Sequence, residues 1–191
     1  MHQDKTNTGL NRYPNIFKAC QDIMGIEDLN ILSYGCSSGE ELATLSMYFN
    51  RSRIHGVEIN DEMRERSRLV TKNAKHITLS KDLPNDKYDL IFCMSVLCRW
   101  PDTETVNNCG DIYGFDKFDY AISQLTNHLK INGILVIYNS NFRMMDSTFY
   151  KNYECVCESE SSGFVHKFDI NNNKISSDYK ECIFRKISDP S

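Results

Sequence analysis

The sequence has no apolar run approaching the roughly 18 residues that a membrane span requires. Its opening, "MHQDKTNTGLNRYP", lacks any apolar core, so no signal peptide is expected. Basic clusters are missing too. The densest, Arg64, Arg66 and Arg68, alternates with acids, and the formal net charge is −4. Nucleic-acid surfaces need clustered Lys and Arg to neutralise phosphates, so neither a nucleic acid nor a membrane is expected as partner. There are eight cysteines but no C-x-x-C pair. Cys155-Val156-Cys157 and the four-residue gap between Cys93 and Cys98 do not supply zinc spacing, so no metal is expected. Most cysteines lie inside apolar patterns and read as reduced, buried small hydrophobes of a cytoplasmic protein. Repeats and low-complexity segments are absent. At 191 residues the chain suffices for one domain with a full core and is short for two.

What is present alternates between two periods. "NIFKACQDIM" carries Ile16, Phe17, Cys20 and Ile23 at helical spacing behind Pro14, closing a polar leader and helix over residues 1–28. "LNILSYG" reads as a buried strand, "SSGEELATLSMYFN" as a helix, "RIHGVEIN" as a strand and "DEMRERSRLVTKNA" as a helix capped by Asp61. "HITLS" and the very apolar "KYDLIFCMSVL" follow as strands. After a long irregular stretch, 98–115, "DKFDYAISQLTNHLK" is a helix that stops at Ile131-Asn132-Gly133, before the strand "ILVIYNS". The tail offers two strands, "GFVHKFDI" and "YKECIFRKI", about the turn "NNNK". This order predicts a single α/β domain over residues 1–191. Its sheet is mostly parallel, with helices on both faces and an antiparallel C-terminal edge strand.

The chemistry concentrates in "ILSYGCSSGEELATL". Gly35-Cys36-Ser37-Ser38-Gly39 has the letters of the hydrolase elbow G-x-S-x-G. That elbow falls late in its sheet, however, and none of His55, His76, His128 and His166 has the loop position of a catalytic imidazole. As a dinucleotide fingerprint the stretch places Ser37 and Glu40 at the second and third glycines. Glu40 and Glu41 would then face a pyrophosphate at the helix N-terminus and repel it. A ligand with a cationic centre and no phosphate is tolerated there. Ser37 with Glu40 and Ser38 with Glu41 also spell the capping box S-x-x-E.

On these residues "ILSYGCSSGEE" resembles the first motif of class I S-adenosylmethionine-dependent methyltransferases. The variant GCSSGEE is similar to that of chemotaxis-receptor methyltransferases, with Ser33 standing where an acid is usual. "IHGVEIN" resembles the second strand, "DLPNDKYDLIFCMSVL" the fourth, and "LKINGILVIYNSNF" the segment after it. The resemblance covers roughly residues 29–142, in family order. It implies a Rossmann-like methyltransferase fold of seven strands, with S-adenosylmethionine as cofactor. Gly35, Cys36, Ser37 and Gly39 are the implied glycine-loop contacts and Glu58 the ribose acid. Ile59, Asp82, Met94, Ser95, Arg12 and Tyr13 complete the candidate cofactor set.

The loops after the strands form the expected acceptor side, with the 98–115 stretch as a lid-like cover. Candidate acceptor contacts are Arg99, Trp100, Asn139, Asn141 and Arg143. Methyl transfer needs alignment first and a base only if the acceptor loses a proton. Asp102, Glu104 and Tyr113 are the candidates for that role. The expected reaction is in-line methyl transfer to a small molecule: a metabolite, sugar or natural product. Two alternatives stand beside it, a catalytically silent cofactor- or partner-binding protein and a protein carboxyl methyltransferase.

Overall fold

Ile31, Leu32 and Ser33 are all fully buried in the first strand, as a parallel strand covered on both faces requires. The computed structural model describes residues 2–3, 5–6, 8–25 and 28–190. Its backbone contacts group into two units, Thr6–Phe92 and Met1–Lys5 with Cys93–Ser191.

The Thr6–Phe92 unit runs α1 (Pro14–Met24), β1 (Asn30–Tyr34), α2 (Glu40–Tyr48), β2 (Arg53–Val57), α3 (Asp61–Thr71) and β3 (Ile77–Ser80). It then enters β4 (Tyr88–Met94). β1 pairs in parallel with β2 and β4, and β2 with β3. Ile16, Phe17 and Cys20 of α1 are buried, Phe17 meeting Phe92 with ring centroids 5.5 Å apart. Asp61 does not cap α3. Asn60 does, its side chain accepting from the Met63 amide at 3.1 Å, because the residue just outside the first turn is the one whose side chain reaches the exposed N–H groups. Asn60→Ala is expected to lower stability by about 1 kcal/mol, measured by urea denaturation.

The second unit carries α4 (Phe115–His128), β5 (Leu129–Tyr138), β6 (Tyr153–Glu158), β7 (Lys167–Phe168), β8 (Lys174–Ile175) and β9 (Glu181–Lys186). Phe142 sits at the centre of its core, with Phe115, Phe118, Tyr113 and Phe168 around it at 5.4–6.4 Å. The helix expected to run to Lys130 ends at His128 and passes directly into β5. Lys186 explains why the helix can stop there. Its buried ammonium donates to the Thr126 and Leu129 carbonyls at 2.9 and 3.0 Å, satisfying groups at the helix end and favouring its dipole.

The strands form a seven-stranded sheet in the order β3-β2-β1-β4-β5-β9-β6, and a separate pair, β7-β8. The antiparallel strand is the C-terminal β9, which pairs antiparallel with both β5 and β6. It therefore lies one place in from the edge, and β6 is the edge. "YECVCE", which forms β6, was not among the expected strands: its Glu and Cys alternation lacks a sustained apolar face. "GFVHKFDI" contributes only the two residues of β7, paired with β8. The family architecture is nonetheless the one the motif order implies.

Candidate functional site

The loop between β1 and α2 is shaped by backbone that ordinary side chains disfavour. Gly35, Ser37 and Gly39 all have positive φ, at 79°, 49° and 98°. The Gly35 and Cys36 amides bond the Val57 carbonyl, tying the loop to the end of β2. A Cβ on Gly39 would lie 2.6 Å from Ser67 Oγ and 2.9 Å from Ser67 Cα, so only glycine lets α2 start against α3. Cys36 points inward. A Cβ at Gly56 would meet its sulfur at 2.8 Å, so Cys36 offers the loop's outer side only backbone. Burial pushes the Cys36 thiol up, with the charges of Glu58 and Glu41 adding to the shift.

The capping-box expectation fails. Gly39 occupies the N-cap and no side chain caps α2. Ser38 Oγ donates to Glu40 at 2.8 Å, while Ser37 Oγ donates to the Thr6 carbonyl at 3.1 Å. Positive φ at Ser37 and Gly39 turns the serine side chains away from the helix amides a capping box would need.

Glu58 follows β2 and is nearly buried. One carboxylate oxygen accepts from the Ser37 amide at 2.8 Å, the other from the Asn60 amide at 2.7 Å. It thus locks the glycine loop to the start of α3, and each oxygen keeps acceptor capacity. Beside it Ile59 is 54% exposed, an apolar surface at the strand end. Asp82 is also exposed, and its carbonyl accepts from Ser80 Oγ.

Ser33, the residue that departs from the usual acid, donates its hydroxyl to Glu41 Oε1 at 2.7 Å. A carboxylate is therefore present at the end of β1, but it comes from the first turn of α2. Burial pushes the Glu41 carboxyl up to about 7, against the pull of the Ser33 hydroxyl and the Arg12 charge. The group is ringed by protein while the residue stays partly accessible, as a cleft-lining carboxylate would be. Arg12 lies over the Tyr13 ring at 5.1 Å, and the adjacent Asn11 is held by Thr44 and Tyr48 of α2. The positive charge of Arg12 acts on Glu41 from there. Sequence reading missed Glu41's partner and the packing role of Ser67, since neither separation forms a local pattern.

The remaining candidates belong to the Cys93–Ser191 unit. Met94 is buried. Ser95 and Asn139 directly follow β4 and β5 with positive φ, 58° and 55°, and Asn139 Nδ2 donates to Ser95 Oγ at 3.0 Å. Asn141 is fully buried and spent on its own chain: it accepts from the Arg99 amide and donates to Thr103 Oγ1 and the His166 carbonyl. Arg99 pairs with Asp102 at 2.9 Å, and Arg143 with Asp146 through two bonds of 2.7 and 2.8 Å. Tyr113 is fully buried with its hydroxyl 2.9 Å from His2 Nδ1. Glu104 stands exposed. The 98–115 stretch is stitched down along its length, with Cys109 bonded to the Asn172 carbonyl and Lys174 to that of Asn107. Among the described residues no group of three or more His, Cys, Asp or Glu could hold a metal ion, and no helix is long and apolar enough to cross a membrane.

Residues 32–135 match the methyltransferase-domain family, which is more than half of the chain. No curated protein sequence matches the chain. Among solved structures it is similar to TehB from Haemophilus influenzae, at TM-score 0.61 and 16% identity over 90% of this chain. It spans 62% of that relative's length. It is also similar to a candidate rRNA methylase from Clostridium thermocellum, at TM-score 0.58 and 13% identity over 96% of this chain and 100% of that one. A ribosomal protein L11 methylase from Lactobacillus delbrueckii subsp. bulgaricus gives TM-score 0.58 and 11% identity over 92% and 79%. At these identities the likenesses speak for the fold, and the family match carries the rest. The chain belongs to the class I S-adenosylmethionine-dependent methyltransferases, whose cofactor is S-adenosylmethionine.

Proposed function

We propose that this chain transfers a methyl group from S-adenosylmethionine to a small, uncharged acceptor. The residues fit the cofactor by the chemistry of the donor set. Glu41, Glu58 and Glu40 surround a loop kept narrow by Gly39, a setting hostile to a pyrophosphate and favourable to a cation. In this reading Glu58 takes the ribose hydroxyls, Ile59 offers the adenine an apolar face, and Glu41, steered by Ser33 and Arg12, faces the cationic part. When bound, the cofactor supplies a methyl group already activated on a sulfonium, so the chain's contribution is alignment and exclusion of water. Asp102, whose charge is taken up by Arg99, is a poor base; Tyr113, its hydroxyl engaged, is another. An acceptor that needs no deprotonation suits this rim best.

The observation that carries the acceptor class is the state of the two rim arginines. Arg99 and Arg143 are each paired with an acid three residues on, so neither offers uncompensated positive charge to a phosphate backbone. Calorimetry with S-adenosylmethionine and S-adenosylhomocysteine tests the cofactor, and binding of both is expected. Mass spectrometry of methyl transfer to small-molecule, protein and ribosomal-RNA fractions tests the acceptor. Transfer confined to the small molecules is expected; transfer to RNA or protein would replace this reading, and cofactor binding without transfer to any fraction would favour a silent binding protein.

A further inference from the structure

Two aromatic side chains meet at the carboxyl-end loops of the Cys93–Ser191 unit and are not part of its core. Trp100, the sole tryptophan, and Phe164 pack edge to face, with ring centroids 5.6 Å apart and planes at 84°. Phe164 is 49% exposed and Trp100 partly so, whereas Tyr113, Phe118, Phe142 and Phe168 of the same unit are fully buried. Exposed rings gain little from burial, yet this pair is held by an unusual number of fixed bonds. Asn139 Oδ1 accepts from both the Phe164 and Val165 amides, at 2.9 and 3.2 Å. Asn141 Oδ1 accepts from the Arg99 amide, next to Trp100, and its Nδ2 donates to the His166 carbonyl.

The backbone is committed to the same end. Asn139 takes a positive φ of 55°, which costs energy for a residue with a side chain. Gly163 has φ +86°, and a Cβ there would lie 2.5 Å from Asn139 Oδ1, so only glycine lets the Phe164 loop close onto the asparagine. Asn139 and Asn141, just after β5, thus set both ring-bearing loops at once.

We infer that Trp100 and Phe164 form the acceptor-recognition corner, and that the acceptor is a planar, uncharged aromatic molecule. This rests on the methyltransferase reading above. Two rings at right angles present one face and one edge, the arrangement that a third aromatic ring completes by stacking on one and meeting the other at its edge. A saturated ring of equal size gains only the apolar contact. Arg99 and Asp102, which flank Trp100, neutralise one another, so that pair presents no net charge to a ligand there. Asn139 and Asn141 are positioning residues in this account, and Phe164 is a specificity determinant that no sequence motif marks.

The single tryptophan makes the test direct. Fluorescence of the full chain, excited selectively at Trp100, is titrated with catechol and with quinoline, and with cyclohexanol as the saturated control. Saturable quenching by the aromatic probes and none by cyclohexanol is expected. Phe164→Ala should weaken the aromatic probes about tenfold; Phe164→Leu, which keeps bulk without a ring, should restore only part of that. Binding of S-adenosylhomocysteine, followed by calorimetry, should be the same in both variants and the parent. Equal binding of cyclohexanol, no saturable response to the aromatics, or an unchanged response in Phe164→Ala would each overturn the proposal. Aromatic binding in a chain that binds neither form of the cofactor would leave the corner standing and remove the methyltransferase reading instead.

Discussion

Glu41→Gln should make the protein more stable above neutral pH and, at the same time, a poorer binder of its cofactor. The two effects share one cause. The Glu41 carboxyl titrates near 7 in the folded chain, against an ordinary value of 4.5. Below 4.5 both folded and unfolded chains hold the proton, and the residue has no pH-dependent effect. Between 4.5 and 7 the folded chain binds a proton that the unfolded chain has released, so this group's contribution falls as pH rises through that window. By pH 8 the loss amounts to up to about 3 kcal/mol, roughly 1.36 kcal/mol for each unit of the shift. Glutamine keeps the acceptor for the Ser33 hydroxyl and removes the buried charge. The melting temperature at pH 8 should therefore rise by several degrees, at roughly 2–4 °C per kcal/mol for a chain of this size.

The same charge is what a cationic ligand would use. In the parent protein, affinity for S-adenosylmethionine should increase as pH rises through 7, because binding a cation favours the ionised carboxyl. Calorimetry in buffers of different ionisation enthalpy should register the released proton. In Glu41→Gln the affinity should fall about tenfold or more, in line with losing a charge-assisted contact, and its pH dependence near 7 should vanish. A loss shared with S-adenosylhomocysteine would locate the cofactor's ammonium at Glu41; a loss confined to S-adenosylmethionine would locate the sulfonium. Unchanged affinity with raised stability would leave Glu41 as nothing more than an unfavourable buried acid.

Glu58→Ala is the second substitution with a large expected effect. Removing the carboxylate frees the amides of Ser37 and Asn60 and, on the proposed reading, deletes the acceptors for the ribose hydroxyls. Hydrogen bonds to a charged partner contribute about 1.5–3 kcal/mol each, so affinity for S-adenosylhomocysteine should drop about a hundredfold. Stability should fall as well, by about 1–3 kcal/mol in urea, as the glycine loop loses its tie to α3. Glu58→Gln separates the contributions. Its amide oxygen can still accept from one backbone N–H, while its amino group confronts the other. It should recover part of the stability and little of the affinity. If Glu58→Ala binds the cofactor as the parent does, the ribose assignment is lost.

Glu58 also illustrates how legible the site was. Its place after the second strand marks it from sequence as a ligand-binding acid, and on that basis alone Glu58→Ala would touch binding only. The structure adds that the same carboxylate holds two backbone amides, which makes it a fold residue too. Ser37 went the other way. Its S-x-x-E spacing reads as a helix cap, yet the positive φ values around it carry the hydroxyl to the Thr6 carbonyl. A spacing rule presumes an ordinary backbone, and this loop does not have one.

Ordered alternation of apolar runs with amphipathic helices, and the motifs at their junctions, were enough to determine the α/β class, the family and the position of the glycine loop. Those signals are local: periodicity, turn residues and short motifs repeat within a few residues of chain. Only the tertiary structure decided that β9 inserts between β5 and β6. Strand order depends on hydrogen bonds between distant segments, and no single segment records it. The same holds for Ser33 and Glu41, eight positions apart, and for Trp100 and Phe164, which come together because Asn139 and Asn141 bond loops that the sequence keeps far apart. Glu41 of α2 brings a carboxylate to the end of β1, where Ser33 stands, and that juxtaposition depends on how the helix packs on the strand, which no local pattern records.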